Sequence, residues 1–325
     1  MTFSAETFDV LVVGAGPAGS CAARLLARQG MKVVLVDPQR NHSRRLELLG
    51  PRALCILEAV GLSHVLSDQR VSNPCQGIRK NWGRSGLHVD EFLRYPGGRG
   101  YVLDRAGFDA ELLRMVRDGR VPFMKGTVSA VRIEGGTVVA DVSHAGNSTV
   151  VRATLIVDAT GRPASIARRL GARRTVHEYL LASLSDCRRE ETPDQGQWLD
   201  INGDVDQWRY TLLGPDGTRQ FWSVRRGKRS STRISASHNC CDASSASLDV
   251  CAGPRWLAIG DAAASYDPIT SQGLVTALAG ALAASELVLS GRSLVPSELD
   301  EFSALVARTH ARTEAGRQAL YAAAA

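Results

Sequence analysis

The sequence predicts an α/β (α+β) chain: a parallel sheet flanked by helices and extended by a β-meander, with a separate antiparallel sheet beside it. Three observations carry that prediction. Two short apolar runs of β-type residues, 8–13 and 32–36, bracket a helix-like segment at 17–29. Between 121 and 157, strand-like stretches alternate with the breakers Gly126, Gly135-Gly136 and Gly146-Asn147. Residues 71–100 and 175–244 hold four of the five tryptophans and alternating stretches at 208–213 and 220–224.

The first run reads as a buried parallel strand, because an unbroken apolar segment suits a strand covered on both faces. It leads into Gly14-Ala15-Gly16-Pro17-Ala18-Gly19. Gly14 permits a tight turn, Gly16 lets backbone approach a pyrophosphate, and Gly19 lets the following helix pack closely on the strand. Pro17 sits in the first helical turn, where an N–H would go unsatisfied anyway, and Gly30 stands where a C′ residue belongs. The second strand ends at Asp37, 23 residues after Gly14. That is close to the spacing at which an acidic side chain meets a ribose hydroxyl. Together these make a Rossmann-like βαβ unit.

Residues 105–118 form a helix preceded by Tyr101-Val102-Leu103-Asp104. Leu155-Ile156-Val157 is another buried strand with Asp158 at its tip, where ligands gather in open α/β sheets. A short helix at 166–171 closes that unit. Residues 235–247 are small and polar and read as a connecting loop. Residues 273–289 read as a buried helix, since Thr276, Ser285 and Glu286 interrupt the apolar run. The expected organisation is a discontinuous nucleotide-binding domain (1–70, 101–174 and 245–300), an antiparallel second domain (71–100 and 175–244), and a C-terminal helix at 301–325 that is cut short.

The net charge of +6 comes almost wholly from arginine, only four of the 39 basic residues being lysine. The densest run lies at 225–233. It reads as a solvated loop between strands, with a docking surface for an acidic partner or anionic substrate as the alternative. Nucleic acid is not expected as a partner, because no aromatic stacking ladder or binding module accompanies the run. The seven cysteines contain no CxxC pair, which points to a reducing, cytoplasmic setting and against a disulfide framework or zinc site. No metal and no membrane association are expected, and the N-terminus lacks the basic and apolar regions of a signal peptide.

Two further glycine-bearing segments follow the first: Asp158-Ala159-Thr160-Gly161, then Gly260-Asp261 with Asp267-Pro268 and Gly273. All three in this order make the chain resemble the FAD-dependent aromatic hydroxylases and the flavin-dependent halogenases that share their fold. The resemblance covers about residues 8 to 290. It implies that Gly14 to Gly19 (with Ala15, Gly16, Pro17 and Ala18) bind the ADP portion of FAD. It places Asp158 and Gly161 in a second cofactor motif. It implies that Gly260 and Asp261 meet the ribityl chain, and that Pro268, Gly273 and Leu274 lie where a helix points its N-terminus at flavin N1 and O2. A reduced flavin carries negative charge at N1, which a helix N-terminus stabilises. By the same resemblance Arg105 contacts the phosphate–ribose side, the backbone of Val128 meets adenine, and Arg45 and Glu47 lie on a loop near the flavin.

The resemblance implies a monooxygenase. FAD, reduced by NADH or NADPH or by a partner flavin reductase, reacts with O2 to a C4a-hydroperoxyflavin that hydroxylates an electron-rich aromatic ring. The substrate is an aromatic small molecule or a Trp-containing polypeptide. Within this branch, Trp82-Gly83, Tyr101-Val102-Leu103-Asp104-Arg105 and Asp267-Pro268-Ile269-Thr270-Ser271-Gln272-Gly273 look most like enzymes that hydroxylate peptidyl tryptophan in tryptophylquinone biogenesis. The alternatives are a flavin-dependent halogenase and a flavin-dependent reductase of the geranylgeranyl reductase type. The chain lacks the halogenase segment Trp-x-Trp-x-Ile-Pro, and Lys80 is too close to Trp82 to be the halogenase lysine. No catalytic side chain is assigned; His88, Glu47 and Arg79 are candidates for lining the site, each with a structural reading as well.

Overall fold

In the computed structural model, which describes residues 7–39, 45–83, 86–189, 197–227, 240–290 and 294–323, the first apolar run is the middle of an eight-stranded sheet. Thr7–Val13 pairs in parallel with Val33–Asp37 on one side and with Asn147–Asp158 on the other. Phe123–Lys125 extends the sheet beyond Val33–Asp37, and Trp256–Ala258 extends it beyond Asn147–Asp158, both in parallel. Asn147–Asp158 serves two ladders. Its first half runs antiparallel to Thr137–His144 and closes the meander with Thr127–Glu134; its second half runs parallel to Thr7–Val13.

Six helices accompany the described strands: α1 (Pro17–Arg28), α2 (Ala53–Ala59), α3 (Arg105–Asp118), α4 (Ser165–Arg169), α5 (Gly273–Leu289) and α6 (Pro296–Ala322). The buried face of α1 is mostly small, with Ala18, Gly19, Ala22 and Ala23, so α5 and α3 can both pack against it. Leu11, Leu35, Phe108 and Ile156 are fully enclosed in this first core, each such side chain contributing about 1.5–3 kcal/mol by burial. Among the described residues no helix is long and apolar enough to cross a membrane.

The remaining strands form a seven-stranded sheet and two small ones. The large sheet runs Cys240–Asp242, Leu180–Arg189, Thr218–Arg226, Gln207–Leu213, Trp198–Gly203, Gly77–Trp82, Leu87–Glu91. Its neighbours are antiparallel except Trp198–Gly203 with Gly77–Trp82. One small sheet joins Leu46–Leu49, Gly100–Asp104 and Ser72–Cys75; the other joins Arg174–Glu178, Ser245–Leu248 and Ala264–Ser265. A second core holds Trp82, Trp208 and Trp222 from the large sheet with Leu46 and Leu48 from the small one, and Tyr321 from α6. Leu299 and Phe302, at the other end of α6, belong to the first core.

Three expectations are corrected. Within 235–247, Cys240–Asp242 and Ser245–Leu248 are strands rather than loop, because ladders to Leu180–Arg189 and Arg174–Glu178 override their small polar composition; residues 235–239 lie outside the described residues. Of the basic run at 225–233, Arg225 and Arg226 end a strand. Arg226 pairs with Glu178 at 3.3 Å and lies over the Tyr321 ring, so it is not a freely solvated charge; Lys228, Arg229 and Arg233 lie outside the described residues. Helix α6 begins at Pro296, not 301, where Pro occupies the first turn and Glu298 accepts from the Val295 N–H at 3.4 Å.

Gln220 ties the small sheet to the large one within the second core. Its buried Oε1 accepts from both Leu46 N and Trp222 Nε1 at 3.1 Å. Gln220→Leu would leave both donors buried and unpaired, at about 1–3 kcal/mol each. The variant is expected to unfold at lower urea concentration than the native chain with an unchanged m-value, measured by equilibrium denaturation.

Candidate cofactor cleft

The cleft forms where the three glycine-bearing turns meet at the C-terminal tips of the parallel strands. Gly14 takes φ 108°, and a Cβ there would lie 2.1 Å from Ala159 O. A Cβ on Gly19 would lie 1.9 Å from Gly14 O. The first strand, α1 and the middle motif are therefore in backbone contact, and no larger residue fits at either position. At Gly16 an added Cβ meets nothing within 4 Å, so this side of the turn is open. Helix α1 starts there with no side-chain cap. Its first-turn amides and dipole favour an anion.

Asp37 braces that turn. Its Oδ2 accepts from Ala15 N at 2.9 Å and its Oδ1 from Gln39 N at 2.6 Å, leaving further lone pairs for a hydroxyl. Gly126 N donates to Asp37 O at 3.0 Å, which sets the strand bearing buried Val128 beside it. The pair expected at the adenosine end is thus brought together.

Asp158 departs from its expected role. It is fully buried, and both oxygens are taken: Oδ1 by the N–H and hydroxyl of Thr160 (2.9 and 2.7 Å), Oδ2 by Ile166 N and Ala167 N (2.9 and 2.8 Å). It shapes the turn and anchors α4 instead of facing the cleft. The open position of that motif is Gly161, where an added Cβ would meet nothing within 4 Å. The residue sequence reasoning passed over is the next one, Arg162. Its guanidinium donates to Ser244 O (2.5 Å) and Tyr266 O (3.2 Å), and Nε lies 3.4 Å from Asp261 Oδ2. Its only sequence signal was its place directly after Gly161.

In the third motif Gly260 packs on the start of α1, a Cβ there falling 2.9 Å from Ala18 Cβ, and Ile259 N bonds Asp158 O at 2.9 Å. Asp261 opens onto the cleft with its side chain one-third exposed. Burial raises its pKa, Arg162 opposes that, and Glu47 adds to the rise. Pro268 lies in the short turn Pro268–Thr270, Gly273 opens α5 with open space beside its Cα, and Leu274 is buried beneath it. The α5 N-terminus has no side-chain cap.

Arg105 is already partnered within the protein. Its Nη1 bonds Glu47 at 2.6 Å, while Nε and Nη2 bond Asp109 at 3.1–3.2 Å. Burial works against its charge, but the two carboxylates outweigh it and hold the pKa above the usual guanidinium range. Most of its donors are committed to protein. Arg45 is the contrast: its Nε is buried with no partner among the described residues. Glu47 lies in the strand Leu46–Leu49 and not on a loop, and Leu46 beside it bonds Gln220 of the large sheet directly at 3.1 Å; the charges of Arg45 and Glu47 both act on Tyr210. His88 and Arg79 are not brought here. His88 sits exposed on the edge strand Leu87–Glu91, six strand spacings (about 29 Å at ~4.8 Å each) from Cys240–Asp242. Arg79 is paired with Asp200 at 2.6 and 2.9 Å over the Trp198 ring.

These residues fit FAD on three counts: open backbone at Gly16, Gly161 and Gly273, two uncapped helix N-termini, and an orphaned guanidinium nitrogen. Gly14→Ala is expected to lower the melting temperature by several degrees and weaken FAD binding more than tenfold, checked by thermal denaturation and flavin fluorescence. Asp158→Asn would turn an NH2 group toward amide donors; a loss of about 2–4 kcal/mol in unfolding free energy is expected from the unpaired buried groups, read from denaturant titration.

Comparison with known proteins agrees with this geometry. A family model described as an FAD binding domain matches residues 7–195, more than half of the chain. Menaquinone reductase of Mycolicibacterium smegmatis is 28% identical, over 87% of this chain and 76% of its own length. The 6-methylpretetramide 4-monooxygenase of Streptomyces rimosus is 29% identical, over 94% of this chain and 81% of its own. Among solved structures, the flavin-dependent halogenase CmlS superposes with a TM-score of 0.79 at 21% identity, covering 95% of this chain; the chain spans only 62% of that halogenase. The peptidyl tryptophan dihydroxylase QhpG, described as essential for tryptophylquinone cofactor biogenesis, superposes at 0.69 and 21% identity, over 95% and 75% of the two chains. At that identity both structures speak for the fold alone. On the family match, the chain belongs to the FAD binding domain family.

Proposed function

We propose that this chain is an FAD-dependent monooxygenase that hydroxylates an electron-rich aromatic ring, with a tryptophan side chain of a partner polypeptide as the narrower substrate reading. What supports it is the fit of the cleft to FAD together with the likeness to 6-methylpretetramide 4-monooxygenase across most of both chains. On the large sheet, Trp208 and Trp222 are enclosed in the second core, while Tyr210, stacked on Trp222 at 6.2 Å, is partly exposed and lies near the charges of Arg45 and Glu47.

Bound FAD supplies the redox and oxygen chemistry. The chain's own residues do the rest. The α1 N-terminus and the open backbone at Gly16 hold the pyrophosphate. Asp37 and the Val128 strand hold the adenosine end, and Asp261, set by Arg162, offers acceptors for the ribityl hydroxyls. The uncapped start of α5 favours negative charge on the ring. Arg45 supplies its free Nε–H. Partly exposed Tyr210 offers a ring against which an aromatic substrate can lie. NADH or NADPH, or a partner reductase, supplies electrons, and O2 is the co-substrate.

A reductase is the second reading, favoured by the likeness to menaquinone reductase across most of both chains. For a halogenase, Lys80 is badly placed: it pairs with His88 at the far edge of the large sheet. The FAD-loaded protein should be incubated with NAD(P)H, isotopically labelled O2, and either indoles and phenols or Trp-bearing peptides. One labelled oxygen in an aromatic product is the expected result. Anaerobic NAD(P)H oxidation coupled to saturation of a quinone or isoprenoid double bond, with no label incorporated in air, would establish the reductase instead.

A further inference from the structure

We propose that Tyr321, in the last turn of α6, is a positioning residue for the cofactor, holding the turn that opens α5 in place against the aromatic sheet. The inference rests on the FAD reading above.

The Tyr321 hydroxyl accepts from Trp208 Nε1 at 3.1 Å and donates to Asp267 Oδ2 at 3.0 Å. The direction follows from chemistry. An indole N–H is donor only, so Tyr321 must accept from Trp208 and its own proton is left for the carboxylate. Asp267 Oδ1 accepts from Ile269 N at 3.0 Å, and Asp267 O accepts from Thr270 N at 3.1 Å. One continuous chain of hydrogen bonds therefore runs from the large sheet, through Tyr321 and Asp267, into the turn Pro268–Thr270 that precedes α5.

The ring of Tyr321 is clamped independently of its hydroxyl. It meets Trp82 edge-on at 5.4 Å, and the Arg226 and Arg317 guanidinium groups each lie 5.2 Å from its centre. Trp82 Nε1 donates to the neighbouring Leu320 O at 3.1 Å. Tyr321→Phe should thus keep the packing and remove only the bridge.

Asp267 is almost fully buried. The charged groups around it come from α6 (Arg317, 4.0 Å away, and Glu314) and, through Arg317, from Glu178. Burial pushes its pKa up to about 6, against the donors Ile269 N and Tyr321 and the charge of Arg317, with Glu314 adding to the rise. Its proton occupies the group below that pH and leaves above it, so the bridge to a carboxylate is complete only above pH about 6. Removing the Tyr321 hydroxyl takes a donor from a buried carboxylate and must move its titration upward.

FAD dissociation constants of the native protein, Tyr321→Phe and Asp267→Asn should be measured by flavin fluorescence from pH 5 to 8, with circular dichroism as the folding control. Native affinity is expected to tighten through a step near Asp267's pKa of about 6. In Tyr321→Phe the step should sit higher by about half a unit or more, with Kd at pH 7 weakened about three- to tenfold by one lost hydrogen bond. In Asp267→Asn the step should vanish. A folded Tyr321→Phe with native Kd and native pH midpoint would overturn the proposal, as would a step that persists in Asp267→Asn. Failure of the native protein to bind FAD would instead sink the FAD reading, and this inference with it.

Discussion

The closeness of three backbones, at Gly14, Gly19 and Ala159, is the constraint on which the cleft depends. Two side-chain hydrogens in place of Cβ atoms let α1 lie against the first strand and let the middle turn lie against both. Once those backbones touch, the polar groups between them need partners, because water cannot reach them. Buried Asp158 answers that need by accepting from the Thr160 turn and from the start of α4 at once. The third turn is hung on the same point through Ile259 N and Asp158 O.

Charge in the cleft is organised by competition. Arg105 and Arg162 both approach it, yet each is held by protein acceptors: Arg105 by Glu47 and Asp109, Arg162 by two carbonyls and Asp261. They fix the strand that carries Glu47 and the turn that carries Asp261. Buried charges left unpaired cost several kcal/mol, so this pairing is what allows so many ionisable groups in one place. The buried Nε of Arg45, without a partner among the described residues, is the exception.

The two cores are joined by few but directional contacts. Helix α6 reaches from Leu299 and Phe302 in the first core to Tyr321 in the second, while Gln220 ties the small sheet at Leu46 to Trp222 of the large sheet within the second core. The Tyr321–Asp267 bond carries that link on to the turn that precedes α5.

Much of the cofactor half was legible in the residues. Unbroken apolar runs made the parallel strands, Gly135-Gly136 and Gly146-Asn147 made the meander turns, and the three glycine-bearing segments located the cleft. Those signals are local: each depends on neighbours within a few positions, through the strand period, turn chemistry and helix caps. What the tertiary structure decided was partnership at a distance. That Asp158 spends itself on α4, that Arg105 belongs to Glu47, that 240–248 joins two sheets, and that Tyr321 meets Asp267 across 54 positions follow from no local pattern. By itself the sequence determined where a dinucleotide could be gripped, because grip is a matter of backbone conformation. Which side chains remained free to touch it was settled only by three-dimensional competition for hydrogen-bond partners, and that competition is decided by folding.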